Sequence, residues 1–162
     1  MSPAITIRPT GRRQWGTLCR LEAHCFGWER VLVGVWRRVG EQGVSAWMAH
    51  VDGVAAGFLI AYPHALDGID QPYVAALGVA TTHRRRGVAR ALLCAMLAAH
   101  DAAWLHVRAS NAAAIAAYSA LHFVVVRRVA AYYRDGEDAY VMKADVVASA
   151  DVSDPGAMAR VE

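Results

Sequence analysis

The sequence predicts a mixed α/β fold, a mostly antiparallel central sheet with helices on both faces, and three observations carry that reading. Ser45 to Val51 and Val54 to Tyr62 are apolar stretches flanking Asp52-Gly53, a pair whose easy positive φ suits a two-residue hairpin turn. Tyr73 to Val79 is a continuous apolar strand, the pattern of a strand covered on both faces. From there to Val129 strand and helix patterns alternate, which makes two β-α-β crossovers.

The other elements are read from the N-terminus onward. Ala4 to Arg8 alternates apolar and polar residues and stops at Pro9, a short first strand, and Thr10 is placed to cap a helix. Trp15, Leu18, Cys19, Leu21 and Phe26 keep helical spacing up to Gly27, and Glu29 to Val39 resumes it, so two helices meet at an elbow, His24-Cys25-Phe26-Gly27-Trp28. Pro63 to Pro72 reads as a loop after the hairpin. Arg86 to His100 puts Val88, Leu92, Ala95, Met96 and Ala99 on one helical face, in an alanine-rich context that favours helix intrinsically. Trp104 to Arg108 is a strand, and Ser110 or Asn111 caps a helix through Ile115, Tyr118 and Leu121. His122 to Val129 and Asp138 to Ala144 are the last strands, joined through a turn at Asp135-Gly136. The domain is expected over residues 1–143. Residues 144–162, rich in small residues and without periodicity, read as a disordered tail.

Composition narrows the function. With 162 residues, 56% hydrophobic and 19% charged, the chain suits one domain with a sizeable core. No apolar run approaches the roughly 18 residues of a membrane span, and no basic start followed by an apolar region marks a secretory signal, so a cytoplasmic protein is expected. Three irregularly spaced cysteines and seven histidines form no disulfide framework or metal motif, and no metal is expected. The net charge of +3 is unevenly spread: Gln71 to Arg134 holds eight arginines against Asp101 alone, +7, leaving −4 elsewhere. Such a middle suggests a bound anion. Nucleic acid is disfavoured as that anion, since no basic recognition helix or aromatic RNA-binding strand accompanies the arginines.

The anion's place is suggested by Ala80-Thr81-Thr82-His83-Arg84-Arg85-Arg86-Gly87-Val88-Ala89, which joins the apolar strand to a helix. A helix start offers backbone N–H groups without intrahelical partners and the positive end of the helix dipole, so phosphate is the natural occupant. No GKS or GKT is present, which argues against a nucleoside-triphosphate loop. A solvated arginine run before a helix is the bland alternative.

Arg84-x-x-Gly87-x-Ala89 resembles the pyrophosphate loop of the GNAT acetyltransferases, and the strand order agrees. Val107-Arg108-Ala109-Ser110-Asn111 through Tyr118, and Arg127 to Met142 with Tyr132-Tyr133 and Glu137-Asp138-Ala139, resemble the RimI branch of that family, the ribosomal-protein N-terminal alanine acetyltransferases. The resemblance covers roughly residues 4 to 143. It implies acetyl-CoA as cofactor, held through backbone groups of Leu77, Gly78 and Val79, with Arg84, Arg85, Arg86, Gly87, Val88 and Ala89 around the pyrophosphate and Asn111 on the cofactor arm. Asn111 as a plain helix N-cap is an equal alternative.

The resemblance also implies Tyr118 as general acid, while helical spacing by itself favours Tyr118 as core. The family carries a glutamate base where this chain has His106. Three outcomes are open: His106 is the base, a water relay uses another carboxylate such as Glu137, or efficient catalysis is lost. Neutral imidazole, with an ordinary pKa near 6.5, makes His106 the first choice.

Phe26, Trp28, Tyr132 and Tyr133 are candidates to border a slot for an extended peptide end, or are core and surface anchors. An N-terminal α-amine titrates at about 7.7–8.0, well below lysine, and is easier to deprotonate. The leading expectation is therefore acetylation of a protein N-terminus, a ribosomal protein or similar, by direct attack. A small-molecule amine acetyltransferase and a catalytically weak acyl-CoA-binding module are the alternatives.

Overall fold

The computed structural model describes residues 4–26, 35 and 38–145. Strand β1 (Ile5–Pro9) pairs with β2 (Ser45–Val51), and Thr10 extends that ladder by donating its N–H to the Ala46 carbonyl at 2.9 Å. Thr10 therefore does not cap the helix as its sequence position suggests, and its hydroxyl has no hydrogen-bond partner among the described residues. Gly11 takes the cap position instead, its N–H donating to Gln14 Oε1 at 3.1 Å ahead of a short 3-10 turn, Arg12–Gln14. Helix α1 (Trp15–Phe26) then buries Leu18 and Leu21. The second expected helix, Glu29 to Val39, lies outside the described residues except for Val35, Arg38 and Val39, and so do Gly27 and Trp28 of the elbow.

Asp52 (φ 50°) and Gly53 (φ 81°) both turn left-handed between β2 and β3 (Val54–Leu66), the type I′ hairpin expected. The Pro63 to Pro72 loop is corrected by the structure. Strand β3 continues to Leu66, β4 spans Ile69–Val79, and Asp67-Gly68 (φ 53° and 81°) closes a second hairpin of the same kind. Two prolines suggest a break because neither can donate to a ladder. Pro63 and Pro72 stand directly opposite one another, and with Leu66↔Ile69 closing the turn this is a non-hydrogen-bonded pair, so no ladder donor is missing.

Helix α2 (Val88–Ala99), β5 (Ala102–Arg108), α3 (Ala112–Ser119), β6 (Val124–Val129) and β7 (Ala139–Asp145) complete the fold. Strand β7 runs two residues past the boundary expected at 143, and residues 146–162 lie outside the described ones. The seven strands form one sheet in the order β1-β2-β3-β4-β5-β7-β6, antiparallel except for β4 and β5. Helix α2 packs Val88, Leu92, Leu93 and Met96 on one face with α3 alongside, while α1 covers Met48, Phe58 and Ile60 on the other. Helices do cover both faces.

One irregularity interrupts the middle of the sheet. The β3–β4 register passes from Ile60↔Ala76 to Ala61↔Val74, leaving Ala75 as an extra residue in β4. Such a bulge bends its strand and increases its twist. Beyond Tyr73↔Trp104, the single register pair joining β4 to β5, the two strands part.

Candidate active site

Because β4 and β5 are parallel, their C-terminal ends point the same way and open a cleft, the usual ligand position in an open α/β sheet. From Val74 to Val79 one edge of β4 is paired to β3, and the other faces no strand among the described residues. Leu77 and Val79 thus turn their backbone groups toward the cleft, while those of Gly78, two residues from the Ala80–Ala56 hydrogen bond, face β3. Gly78 is required by packing: a Cβ there would meet Phe58 Cε1 at 2.7 Å and Cys25 Sγ at 3.0 Å. Burial pushes the Cys25 thiol up to about 11, outweighing the lowering influence of Arg84, so it is held as the neutral thiol.

The loop to α2 divides its residues among tasks. Arg84 donates from Nε to the Val79 carbonyl at 3.1 Å and from Nη2 to the Cys25 carbonyl at 3.3 Å, fastening the end of β4 to the end of α1. Its guanidinium faces protein carbonyls. Arg85 (φ 63°) and Gly87 (φ 83°) are both left-handed, and Gly87 precedes α2 without a side-chain cap. The first amides of α2, those of Val88, Ala89 and Arg90, therefore lack intrahelical partners. Val88's side chain is buried beside Gly57, leaving its N–H as the group available to a ligand. Arg85, Arg86 and Arg90, and Arg134 away from this loop, pair with no carboxylate among the described residues, whereas Arg108, Arg127 and Arg128 are matched to acids. The free positive charge of the basic middle is therefore concentrated at the helix start, and these residues fit a phosphorylated carrier.

The second half of the site is aromatic. Trp104, His106 and Arg108 alternate along β5 on the face away from α2, and Tyr73 of β4 meets them. His106 Nδ1 lies 3.2 Å from the Tyr73 hydroxyl, and the imidazole stacks on Tyr132 with centroids 4.2 Å apart and planes 12° apart. Burial, then the neighbouring His64 and Arg127, hold the His106 pKa below its ordinary value. Burial, then the neighbouring Tyr132, raise the Tyr73 pKa. Tyr118 packs against Phe123 (5.8 Å) and is pushed up to about 12 by burial and by Tyr133, whose ring is edge-on to Tyr132 at 5.1 Å. Tyr133, Tyr132, His106 and Tyr73 thus form a continuous series of ring neighbours, and Tyr118 stands apart from it with Phe123. The series holds a neutral imidazole and a phenol that keeps its proton at neutral pH.

The other candidates are more widely scattered. Phe26 sits edge-on to buried Phe58 at 6.2 Å, partly in the core, and Trp28 lies outside the described residues. Asn111 Oδ1 accepts the Ala114 N–H at 3.1 Å, making the N-cap. Glu137 accepts from Arg108 Nη1 (2.8 Å) and from both the backbone N–H (3.0 Å) and hydroxyl (2.6 Å) of Ser110, which holds its carboxyl below the usual range. Both its oxygens are engaged, which leaves it poorly suited to a proton relay. Sequence reasoning missed Tyr73, His64 and Trp104 as site residues. A signal for them exists in the β3–β4 register, where Tyr62 faces Tyr73, but it is visible only once Asp67-Gly68 is recognised as a hairpin turn. Among the described residues no group of three or more His, Cys, Asp or Glu side chains is placed to hold a metal, and no helix is long and apolar enough to cross a membrane.

Fold and site define an α/β protein with an anion-receptive helix start beside a cleft where two parallel strands part. Residues 14–123 match the model of the acetyltransferase (GNAT) family, and the chain belongs to that family. It is an acetyltransferase whose acetyl donor is acetyl-CoA. It is 33% identical over 118 residues to an N-alpha-acetyltransferase of Saccharolobus solfataricus, covering 63% of this chain and 70% of that one. It is 40% identical over 86 residues to the N-terminal acetyltransferase A complex catalytic subunit ard1 of Schizosaccharomyces pombe, about half of each chain. Its fold is similar to the crystal structure of the ribosomal-protein-S18-alanine N-acetyltransferase from Escherichia coli, with a TM-score of 0.76, 27% identity, and coverage of 88% and 94% of the two chains.

Proposed function

We propose that this chain is an N-alpha-acetyltransferase that acetylates the N-terminal amine of a protein, of the RimI-like kind that serves a ribosomal protein, with His106 as general base and Tyr118 as general acid. The activities named for its relatives support the reaction class. The observation that supports the mechanism is the joining of His106 to Tyr73 and to Tyr132, which leads on to Tyr133, in one series beside the cleft.

Acetyl-CoA, when bound, supplies a thioester carbonyl open to attack and a thiolate leaving group. Backbone groups of Leu77 and Val79, on the strand that Gly78 lets pack closely, would hold its acyl end, and the amides of Gly87, Val88 and Ala89 with Arg85 and Arg86 would hold its phosphates. Arg84 shapes that loop through its two carbonyl bonds. Asn111 orders the start of α3 at the cofactor's side.

The peptide's α-amine approaches with Tyr132 and Tyr133 lining its path. With the Tyr73 oxygen accepting from His106 Nδ1–H, the lone pair of Nε2 is left to take the amine proton. Because the His106 pKa is lowered, the ring stays neutral below the ordinary imidazole range. Tyr118 delivers a proton to the departing sulfur, and its raised pKa keeps that proton in place until then.

The test is acetyl transfer to a library of peptide N-termini, followed by mass spectrometry, with polyamines and aminoglycosides as competing acceptors. Peptide acetylation that falls roughly 10²–10⁴-fold in His106→Ala, with acetyl-CoA affinity retained, is expected. Acetylation confined to small amines, or an unchanged pH–rate profile in His106→Ala, overturns the proposal.

A further inference from the structure

Residues 130–138 join β6 to β7 with no strand ladder of their own, yet they carry the two tyrosines that lie in the site. Tyr132 is 43% exposed, so apolar burial does little to hold the segment. Its carboxylates do that instead. Asp135 Oδ2 and Glu137 Oε2 receive Arg108 Nη1 at 2.7 and 2.8 Å, and Glu137 Oε1 receives Ser110. Asp135 Oδ1 accepts the Glu137 N–H at 3.1 Å. Asp138 Oδ1 accepts the N–H of Ala131 at 2.9 Å, and its Oδ2 receives Arg128 Nε at 2.7 Å. Ala131, held in the left-handed region (φ 49°), directly precedes Tyr132. The Arg108 guanidinium also lies 4.0 Å over the Tyr133 ring.

The anchors of Asp135 and Glu137 have a common origin. Arg108 is two residues beyond His106 on the same face of β5, and Ser110 lies between β5 and the helix that carries Tyr118. One stretch, His106 to Tyr118, therefore bears both reactive side chains and attachment points for the segment that carries the tyrosines.

We propose that Glu137 and Asp135, which clasp this segment to the β5–α3 junction, and Asp138, which ties its start to Arg128 of β6, are positioning residues that hold Tyr132 flat against His106 and Tyr133 edge-on to Tyr132. This rests on the reading of His106 as base, and it assigns the acidic tip a role in tuning that base rather than in proton transfer.

The consequence has a sign that separates it from simple electrostatics. The groups facing His106 are Tyr73 from β4, His64 from β3, Arg127 from β6 and Tyr132 from the clasped segment. Removing an acid near an imidazole lowers its pKa by loss of an attractive charge. Releasing Tyr132 exposes the ring to water and raises its pKa, because burial is the largest cause of its depression.

The test is titration of the His106 ring by NMR in the full chain, comparing wild type with Glu137→Gln and with Asp138→Ala, a second variant that leaves Ser110 untouched. An upward movement toward the ordinary value is expected in both. A peptide KM raised roughly threefold or more, with acetyl-CoA affinity within about twofold, is expected alongside. An imidazole that titrates as in wild type or lower, with only the melting temperature reduced, overturns the clasp. If the ring responds as expected while wild type acetylates no peptide, the clasp stands and the base assignment fails.

Discussion

Replacing Gly78 by alanine tests whether the cleft-lining end of β4 is pinned by close packing. The added Cβ would stand 2.7 Å from Cε1 and 3.0 Å from Cζ of Phe58, and 3.0 Å from Cys25 Sγ. Carbon atoms in contact prefer about 3.5–4.0 Å, so a gap of roughly 1 Å has to be made. Phe58 is wholly buried between α1 and the sheet and has no room to withdraw. Overpacking of this kind costs about 1–3 kcal/mol. At roughly 2–4 °C per kcal/mol for a chain of this size, the melting temperature should fall by about 2–12 °C. The acetyl-CoA dissociation constant should rise as well, since the strand that yields is the one presenting Leu77 and Val79. Urea denaturation and calorimetric titration read the two effects. Gly16→Ala is the matched control: only Arg20 Nη1 lies near, at 3.9 Å, and helix propensity predicts a gain of up to about 1 kcal/mol. A Gly78→Ala protein with wild-type stability and cofactor affinity would refute the packing argument.

Other outcomes follow from the same structure. Arg85→Ala and Arg86→Ala should each weaken acetyl-CoA binding by a few-fold, about 0.5–1 kcal/mol for an exposed charge, and the difference from wild type should shrink as salt rises. Arg84→Ala should instead lower the melting temperature, through loss of its bonds to Val79 and Cys25. Gly68→Ala places a side chain at φ 81° and should cost roughly 1–2 kcal/mol in denaturant unfolding; no cost would dissolve the second hairpin. His50, His100 and His106 all have pKa values lowered chiefly by burial. An unfolded chain then binds more protons than the native one below the ordinary value of about 6.5, so thermal stability should fall as pH drops from 7 through that range. Stability that stays level or rises between pH 7 and 5.5 would contradict the burial of these rings.

Much of the fold was legible because its signals are local. Asp52-Gly53 declares a hairpin through backbone conformations that few residues adopt easily, and Val88, Leu92 and Met96 declare a helix face by spacing alone. The same signal at Asp67-Gly68 was hidden by Pro63 and Pro72, whose harmlessness depends on their standing opposite one another across the ladder. Thr10 looked like a cap because caps are read from residue type, while the strand pairing that claims its backbone comes from Ala46. The arginines were countable but not assignable. Arg108, Arg127 and Arg128 find their acids at separations of 10 to 60 residues, and only those pairings show which cations remain free.

The sequence by itself determined the alternation of strands and helices and the basic glycine turn at a helix start, since periodicity, turn chemistry and unpaired first-turn amides are properties of neighbouring residues. The tertiary structure decided where the cleft opens and what stands in it. The β4 bulge parts β4 from β5, and the ladder register brings Tyr73 to His106 across 33 residues and Tyr132 onto its ring. Charge cancellation, burial and proton-holding are set by neighbours in space, so the working state of His106 and Tyr118 belongs to the packed molecule and not to the residue types alone.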